Sequence, residues 1–161
     1  MFIISFLKKS LYIVKQIPCM AIKLIDFGTP EYDDMVKLRQ QILRTPLGLS
    51  YSKEELEAER NEILIGFYDD DVLEGCCLLI KINDETVRLR QIAVISGLQG
   101  KGIGKVLTTF AENIARDRGY KKMIMHARKN SIGFFEKFGF HVSSNEFEEL
   151  TIPHCIMEKD L

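Results

Sequence analysis

The stretch Gln99-Gly100-Lys101-Gly102-Ile103-Gly104 constrains this chain more than any other. It follows an apolar, strand-like run from Leu89 to Ile95 and opens into a helical pattern from Lys105 to Asp117. Glycines at alternate positions let the backbone approach a ligand closely and take φ values that other residues avoid. A helix that starts there leaves its first N–H groups unpaired. Those donors, with the positive end of the helix dipole, make an anion site. Strand, glycine loop and helix in this order predict a phosphate-bearing cofactor. The spacing excludes two common ones. The dinucleotide pattern G-x-G-x-x-G fails because, counted from Gly100 and Gly102 across Ile103 and Gly104, Lys105 stands where the third glycine would be needed. The Walker pattern fails because Gly104-Lys105 is followed by Val106, which has no hydroxyl for magnesium.

What remains is Q-x-x-G-x-G, carried by Gln99, Gly102 and Gly104. Downstream, Asn130 precedes a short helical stretch that ends in Lys137-Phe138-Gly139-Phe140, a K-x-G-aromatic turn. Together these resemble the two signatures of the GNAT acetyltransferase superfamily. The resemblance runs from Ala21 to the C-terminus and is strongest between Arg88 and Phe140. It implies an α/β (α+β) fold: a mixed, mostly antiparallel sheet, a central parallel strand pair that splays apart, and flanking helices. It also implies acetyl-coenzyme A as co-substrate. The N–H groups of Gln99, Gly100, Lys101, Gly102, Ile103 and Gly104 would face its pyrophosphate. Ile92, Ala93 and Val94 would pair with its pantetheine arm through main-chain groups, and Asn130 would stand at the cofactor edge. Lys101 and Lys105 would add screened attraction, on the order of 1 kcal/mol or less each.

Element patterns agree with that order. Ala21–Phe27 alternates as a strand, and Glu31–Arg44 carries apolar residues at helical spacing. Ser52 to Glu55 forms a capping box for a short helix reaching Asn61. Ile63–Tyr68 and Val72–Ile82 form a hairpin, followed by a strand at Thr86–Ile95. Lys105–Arg118 is amphipathic and capped by Gly119. Lys121–Ala127 follows a helical crossover, so it should lie parallel to Thr86–Ile95. His141–Ser144 and Cys155–Lys159 complete the strands.

A length of 161 residues suits one domain. The net charge of −1 gives no basic field that would recommend nucleic acid. The four cysteines have no C-x-x-C spacing, and Cys76 and Cys77 point to opposite faces of one strand. Buried thiols in a reduced, cytoplasmic compartment fit this pattern. With His126, His141 and His154 scattered as well, no metal is expected. Residues 1–19 are apolar but interrupted by Lys8, Lys9 and Lys15, too short a run for a membrane span. They read as an extension or a mis-assigned start, with the folded domain at 20–161 and no membrane partner. Nothing in the sequence fixes an oligomeric state.

Acetyl transfer to an amine needs a base for the ammonium proton and a donor for the leaving thiolate. Many GNAT enzymes carry a tyrosine at the position that Phe135 occupies here, so the usual acid is missing. Tyr120, at a helix–strand turn, reads as structural. The strand Thr86–Ile95 carries no carboxylate. By strict alternation Arg88 and Arg90 share one of its faces, and Leu89 and Gln91 the other. Candidate bases therefore lie among Glu146, Glu148, Glu149 and His154, in a segment similar to the tail of a bacterial GNAT subgroup with "IPH…MEK" near its end. Glu148 and His154 are selected. Arg39 and Arg44 could bind an acidic substrate, although arginines on a helix are more commonly solvated. The expected function is transfer of an acetyl group to a primary amine of a small molecule or peptide. The alternative is a non-catalytic acyl-coenzyme A sensor.

Overall fold

In the computed structural model, residues 19–161 are described. The expectation that residues 1–19 form an extension falls, Cys19 apart, outside them. The described residues begin with strand β1 (Met20–Ile25), helix α1 (Pro30–Arg39), the short helix α2 (Lys53–Glu57), and strands β2 (Ile63–Asp69), β3 (Val72–Lys81) and β4 (Thr86–Val94). Helix α3 (Ile103–Asp117), strand β5 (Lys122–Arg128), helix α4 (Ile132–Glu136) and strands β6 (His141–Val142), β7 (Phe147–Glu149) and β8 (Ile152–Asp160) complete it. The sheet order is β1-β2-β3-β4-β5-β8-β6, with β7 attached to β8. Neighbours are antiparallel except β4 and β5, which are parallel.

Local chemistry explains most element boundaries. The Thr29 hydroxyl caps α1 by accepting from the Tyr32 N–H at 3.3 Å, with Pro30 in the first turn. The Ser52–Glu55 capping box forms, although its helix ends at Glu57 instead of Asn61. The first helix also stops early. From Gln40 to Arg44 the backbone widens into a π-helical turn, and Gly48 then closes a 3₁₀ turn in the left-handed region. Helix α3 begins at Ile103, two residues before the apolar periodicity suggested. Strand β7 was not anticipated, and β8 starts at Ile152 instead of Cys155.

The sheet separates two cores. On the α3 side, Leu107, Ala111 and Ala115 pack on Cys77, Leu79, Val87, Leu89, Met123 and Met125. On the α1 side, Met35 and Leu38 pack on Leu64, Leu78, Cys76 and Ala93. Cys76 and Cys77 thus do face opposite ways. Burial pushes the Cys76 thiol up to about 12, so it is an inert apolar group at neutral pH. Gly75 seats α3 closely, because a Cβ there would meet Ile103 Cγ2 at 2.8 Å.

One irregularity resets the pattern of β4. Cys76 pairs with Ala93 and Leu78 with Arg90, so two residues of β4, Gln91 and Ile92, oppose Cys77 alone. Gln91 takes φ 52°, a left-handed value rare for a residue with a side chain. This β-bulge overturns strict alternation. Gln91 bonds to Arg39 and Tyr51 on the α1 side, not on the Leu89 face.

Candidate active site

The parallel pair is a fork. β4 and β5 are bonded only over Thr86–Arg88 against Lys122–Ile124. Beyond that point β4 stays with β3 as far as Val94, and β5 stays with β8 as far as Arg128. A cleft of about 500 Å³ opens between them, bounded by the π-helical turn, Tyr51, α4 and the β7–β8 hairpin.

The glycine loop lies at one end of the fork. Gly102 occupies the N-cap of α3 at φ 92°, and no side chain caps the helix. The first helical bond is from the Val106 N–H to the Gly102 carbonyl, leaving the N–H groups of Gly102, Ile103, Gly104 and Lys105 without a backbone acceptor. Lys101 differs from expectation, since its N–H is used within the turn, donating to the Leu98 carbonyl at 3.3 Å. The Gln99 side chain donates to the Val94 carbonyl at 3.2 Å, so it braces the end of β4. Ile103 is buried in the α3 core and offers only its N–H. Lys101 and Lys105 are exposed, as is Asn130, which lines the cleft. Ile92 and Val94 pack with the α3-side core and Ala93 with the α1-side core, so this segment has main-chain groups to offer the fork. These features fit an elongated anionic ligand whose phosphates meet the helix start.

The polar end of the cleft holds the titratable groups. His126, at the opening of the fork on β5, has Nδ1 at 2.5 Å from Glu149 Oε2 and at 2.6 Å from Arg88 Nη2. A single ring nitrogen donates to the carboxylate or accepts from the guanidinium, so the two contacts are alternatives. Arg88 Nη2 lies 3.7 Å from Glu149 Oε2, which keeps the cluster charge-balanced. Burial alone would raise the Glu149 carboxyl. The His126 hydrogen bond and the charges of His126, Arg88 and His154 outweigh it and hold the group below its ordinary value. Its contribution to stability is therefore present above the ordinary carboxylate range and is lost as pH falls through the lowered value.

His154 is also in the cleft wall and is 8% exposed. Its Nδ1 lies 2.8 Å from the Ile152 carbonyl, an acceptor only, so Nδ1 carries the proton and the neutral ring leaves Nε2 bare. Its ring stacks on Phe147. Glu148, selected with His154 from sequence, is exposed and does not line the cleft. Alternation along β7 turns Glu148 outward and its neighbour Glu149 inward. Glu146 is also outside the cleft, paired with Lys129 at 2.7 Å. Phe135 is 8% exposed and stands at the cleft wall, beside Phe134 and Phe140. Tyr120 packs against the α3-side core, away from the cleft.

The α1 side supplies a buried polar network. Arg39, 0% exposed, donates from Nη1 to Glu59 Oε1 at 2.7 Å and from Nη2 to Glu59 Oε2 at 2.8 Å. Arg39 Nη1 also donates to Gln91 Oε1 at 2.6 Å, and the Tyr32 hydroxyl donates to Glu59 Oε2 at 2.7 Å. Arg44 pairs with Glu55 at 2.8 Å and lies over the Tyr51 ring. Neither arginine is a solvated helix-surface charge. Among the described residues, no helix is long and apolar enough to cross a membrane, and no cluster of three His, Cys, Asp or Glu residues could hold a metal.

Comparison with known proteins agrees with this geometry. Residues 31–140 match the acetyltransferase (GNAT) family, and the chain belongs to it. It is 31% identical over 108 residues to the uncharacterized N-acetyltransferase YjcF of Bacillus subtilis, covering 66% of this chain and 75% of that one. Two other Bacillus subtilis proteins are 31% identical over 81 and 80 residues, and there the chain spans about half of the relative's length, 55% and 54%. A candidate N-acetyltransferase from Lactobacillus plantarum superposes with a TM-score of 0.80 at 24% identity, over 88% of this chain and 98% of that one. A GNAT family acetyltransferase from Elizabethkingia anophelis with acetyl-CoA bound gives 0.68 at 23% identity, over 88% and 98%. These two likenesses establish the mixed α/β fold with its parallel β4–β5 pair.

Proposed function

We propose that this protein is an N-acetyltransferase that uses acetyl-coenzyme A and acts on a primary amine of a small molecule or peptide. The observation that carries the reading is the fork between β4 and β5, opening onto an uncapped helix start in a chain of the GNAT family. The acetyl-CoA-bound neighbour with the same fold supports the choice of co-substrate. The N–H groups of Gly102 to Lys105 hold the pyrophosphate, and the main chain of Ile92, Ala93 and Val94 lines up the arm that carries the thioester. Gln99 and Asn130 frame this end, and Lys101 and Lys105 add screened charge.

The bound thioester supplies the acetyl carbon, to which the amine nitrogen bonds as the carbon–sulfur bond breaks. His154, with Nε2 bare, takes the proton that the substrate ammonium must lose before its nitrogen attacks. Glu149, between His126 and Arg88, replaces Glu148 as the carboxylate of the site. Phe135 offers no proton to the departing thiolate, which takes one from water.

Two measurements test this. Titration with acetyl-coenzyme A, with ATP and NAD as controls, should show selective binding, and thiol release over an amine panel should show turnover. Gly102→Val should weaken acetyl-coenzyme A binding by at least about tenfold, roughly 1.4 kcal/mol. A β-branched residue is strained at φ 92° and distorts the N–H cradle. Full affinity in a folded variant would remove the loop from the binding site.

Phe135 also favours a second reading, a non-catalytic acyl-coenzyme A sensor. Binding without thiol release for any amine would select it. Phe135→Tyr separates the two further by adding one oxygen at the cleft wall. Where thiolate protonation limits the rate, turnover should rise toward the roughly 10²-fold lower end of general acid effects. A rate that stays unchanged assigns the limiting step to amine deprotonation.

A further inference from the structure

Building on the acetyltransferase reading, we propose that the acceptor amine carries a carboxylate, held by Arg90 together with the carboxamide of Gln91. The argument starts at the bulge. By its left-handed φ, Gln91 joins Arg88 and Arg90 on the α1 side of β4. Its orientation is then forced. Arg39 and the Tyr51 hydroxyl both reach its Oε1, and a guanidinium N–H can only donate, so the atom it meets is the oxygen. The opposite end of the amide, Nε2, carries two N–H donors that meet no acceptor among the described residues, in a side chain that lines the cleft.

Arg90 is the second component. It is half-buried, lines the same cleft, and forms no ion pair or side-chain hydrogen bond among the described residues. The other cleft arginines at this end are already engaged, Arg44 with Glu55 and Arg88 with Glu149. Glu55 is further held by the Ser52 N–H at 2.8 Å, so it is not a waiting partner for Arg90. Arg88 Nε adds a buried donor with no acceptor. Lining this end of the cleft are three arginines and two glutamates; Glu62 and Glu59 face Arg90 only from the adjoining pocket, where Glu59 is taken by Arg39 and Glu62 forms no ion pair among the described residues, so the hydrogen bonds left unmade around Arg90 and Gln91 are those of donors. Such a site lacks an anion. A planar carboxylate suits the guanidinium fork beside a carboxamide. The same substrate would present its amine toward His154 and Glu149.

The test measures thiol release with matched acceptors: leucine, leucinamide and 3-methylbutylamine, and the ω-amino acids from β-alanine to 6-aminohexanoate beside their amides. In at least one set the acid should exceed its amide in kcat/KM by about tenfold or more. Arg90→Gln should bring that ratio near unity, and Arg90→Lys should restore part of it. Neutral amines favoured in every set would overturn the proposal and leave the acetyltransferase reading intact. Preference for 2-aminoethyl phosphate over every amino acid would overturn the choice of carboxylate. Binding supplies a readout independent of turnover. The coenzyme A-loaded protein is titrated with N-acetylleucine and N-acetyl-6-aminohexanoate beside their amides. Selective binding of an acid that Arg90→Gln abolishes supports the proposal even where no amine reacts. Equal or absent binding of acids and amides, with no acid preferred in turnover, overturns it.

Discussion

Replacing Arg39 with methionine is expected to destabilise the fold by about 3–5 kcal/mol, the range for removing one partner of a buried ion pair. In a chain of this size that lowers Tm by roughly 6–20 °C. The reason is the charge left behind. Glu59 is 5% exposed, and without Arg39 its carboxylate retains, among the described residues, only the Tyr32 hydroxyl as a side-chain donor. The Arg39→Met, Glu59→Leu double variant should recover much of the loss, because no uncompensated carboxylate remains. Thermal and denaturant unfolding of the three variants checks this. A single variant as stable as wild type would show that the pair is not the anchor of α1. The same substitution frees Gln91 Oε1 from one of its two donors, so the bulge should loosen and the acceptor-side preference should weaken along with stability.

His154→Ala is expected to lower kcat/KM by roughly 10²–10⁴-fold, the range for a positioned general base, while acetyl-coenzyme A binding is retained. Glu149→Gln should cost less and should remove the fall in rate that accompanies protonation of the Glu149 carboxyl, which its partners hold below the ordinary carboxylate range. Glu148→Gln, on the outer face of β7, should leave the profile of wild type. The pH dependence of all three, measured by thiol release with one amine, distinguishes the roles. An unaltered kcat/KM in folded His154→Ala would move proton acceptance to His126.

The strand, glycine loop and helix start of the candidate site were legible in the sequence, apart from the Lys101 N–H, which the turn itself uses. Gln99 to Gly104 announces itself because glycine spacing is a backbone property, and the helical crossover obliges β5 to run parallel to β4. Phe135 was readable because it sits inside a local signature. What escaped was set by distant partners. Arg39 looks like a surface charge until Glu59, twenty residues on, is folded against it. Gln91 obeys alternation on paper, but in the fold it lies in the left-handed region, with its side chain bonded to Arg39 and Tyr51. The choice between Glu148 and Glu149 depended on the phase of a three-residue strand. That phase is set by a two-residue turn, Leu150-Thr151, with φ of 52° and 63° and no glycine or asparagine to signal it.

That turn has a consequence for how such a protein diversifies. Glu149 and Leu150 reach the cleft from a hairpin arm that pairs with β8 alone and contributes no buried residue to either core. The glycine loop, by contrast, runs straight into α3, which is packed on the centre of the sheet. The arm is in effect an exchangeable bit in a fixed tool holder. Under the proposed function, lengthening it or rewriting its residues would retune which amine is accepted without disturbing the glycine loop.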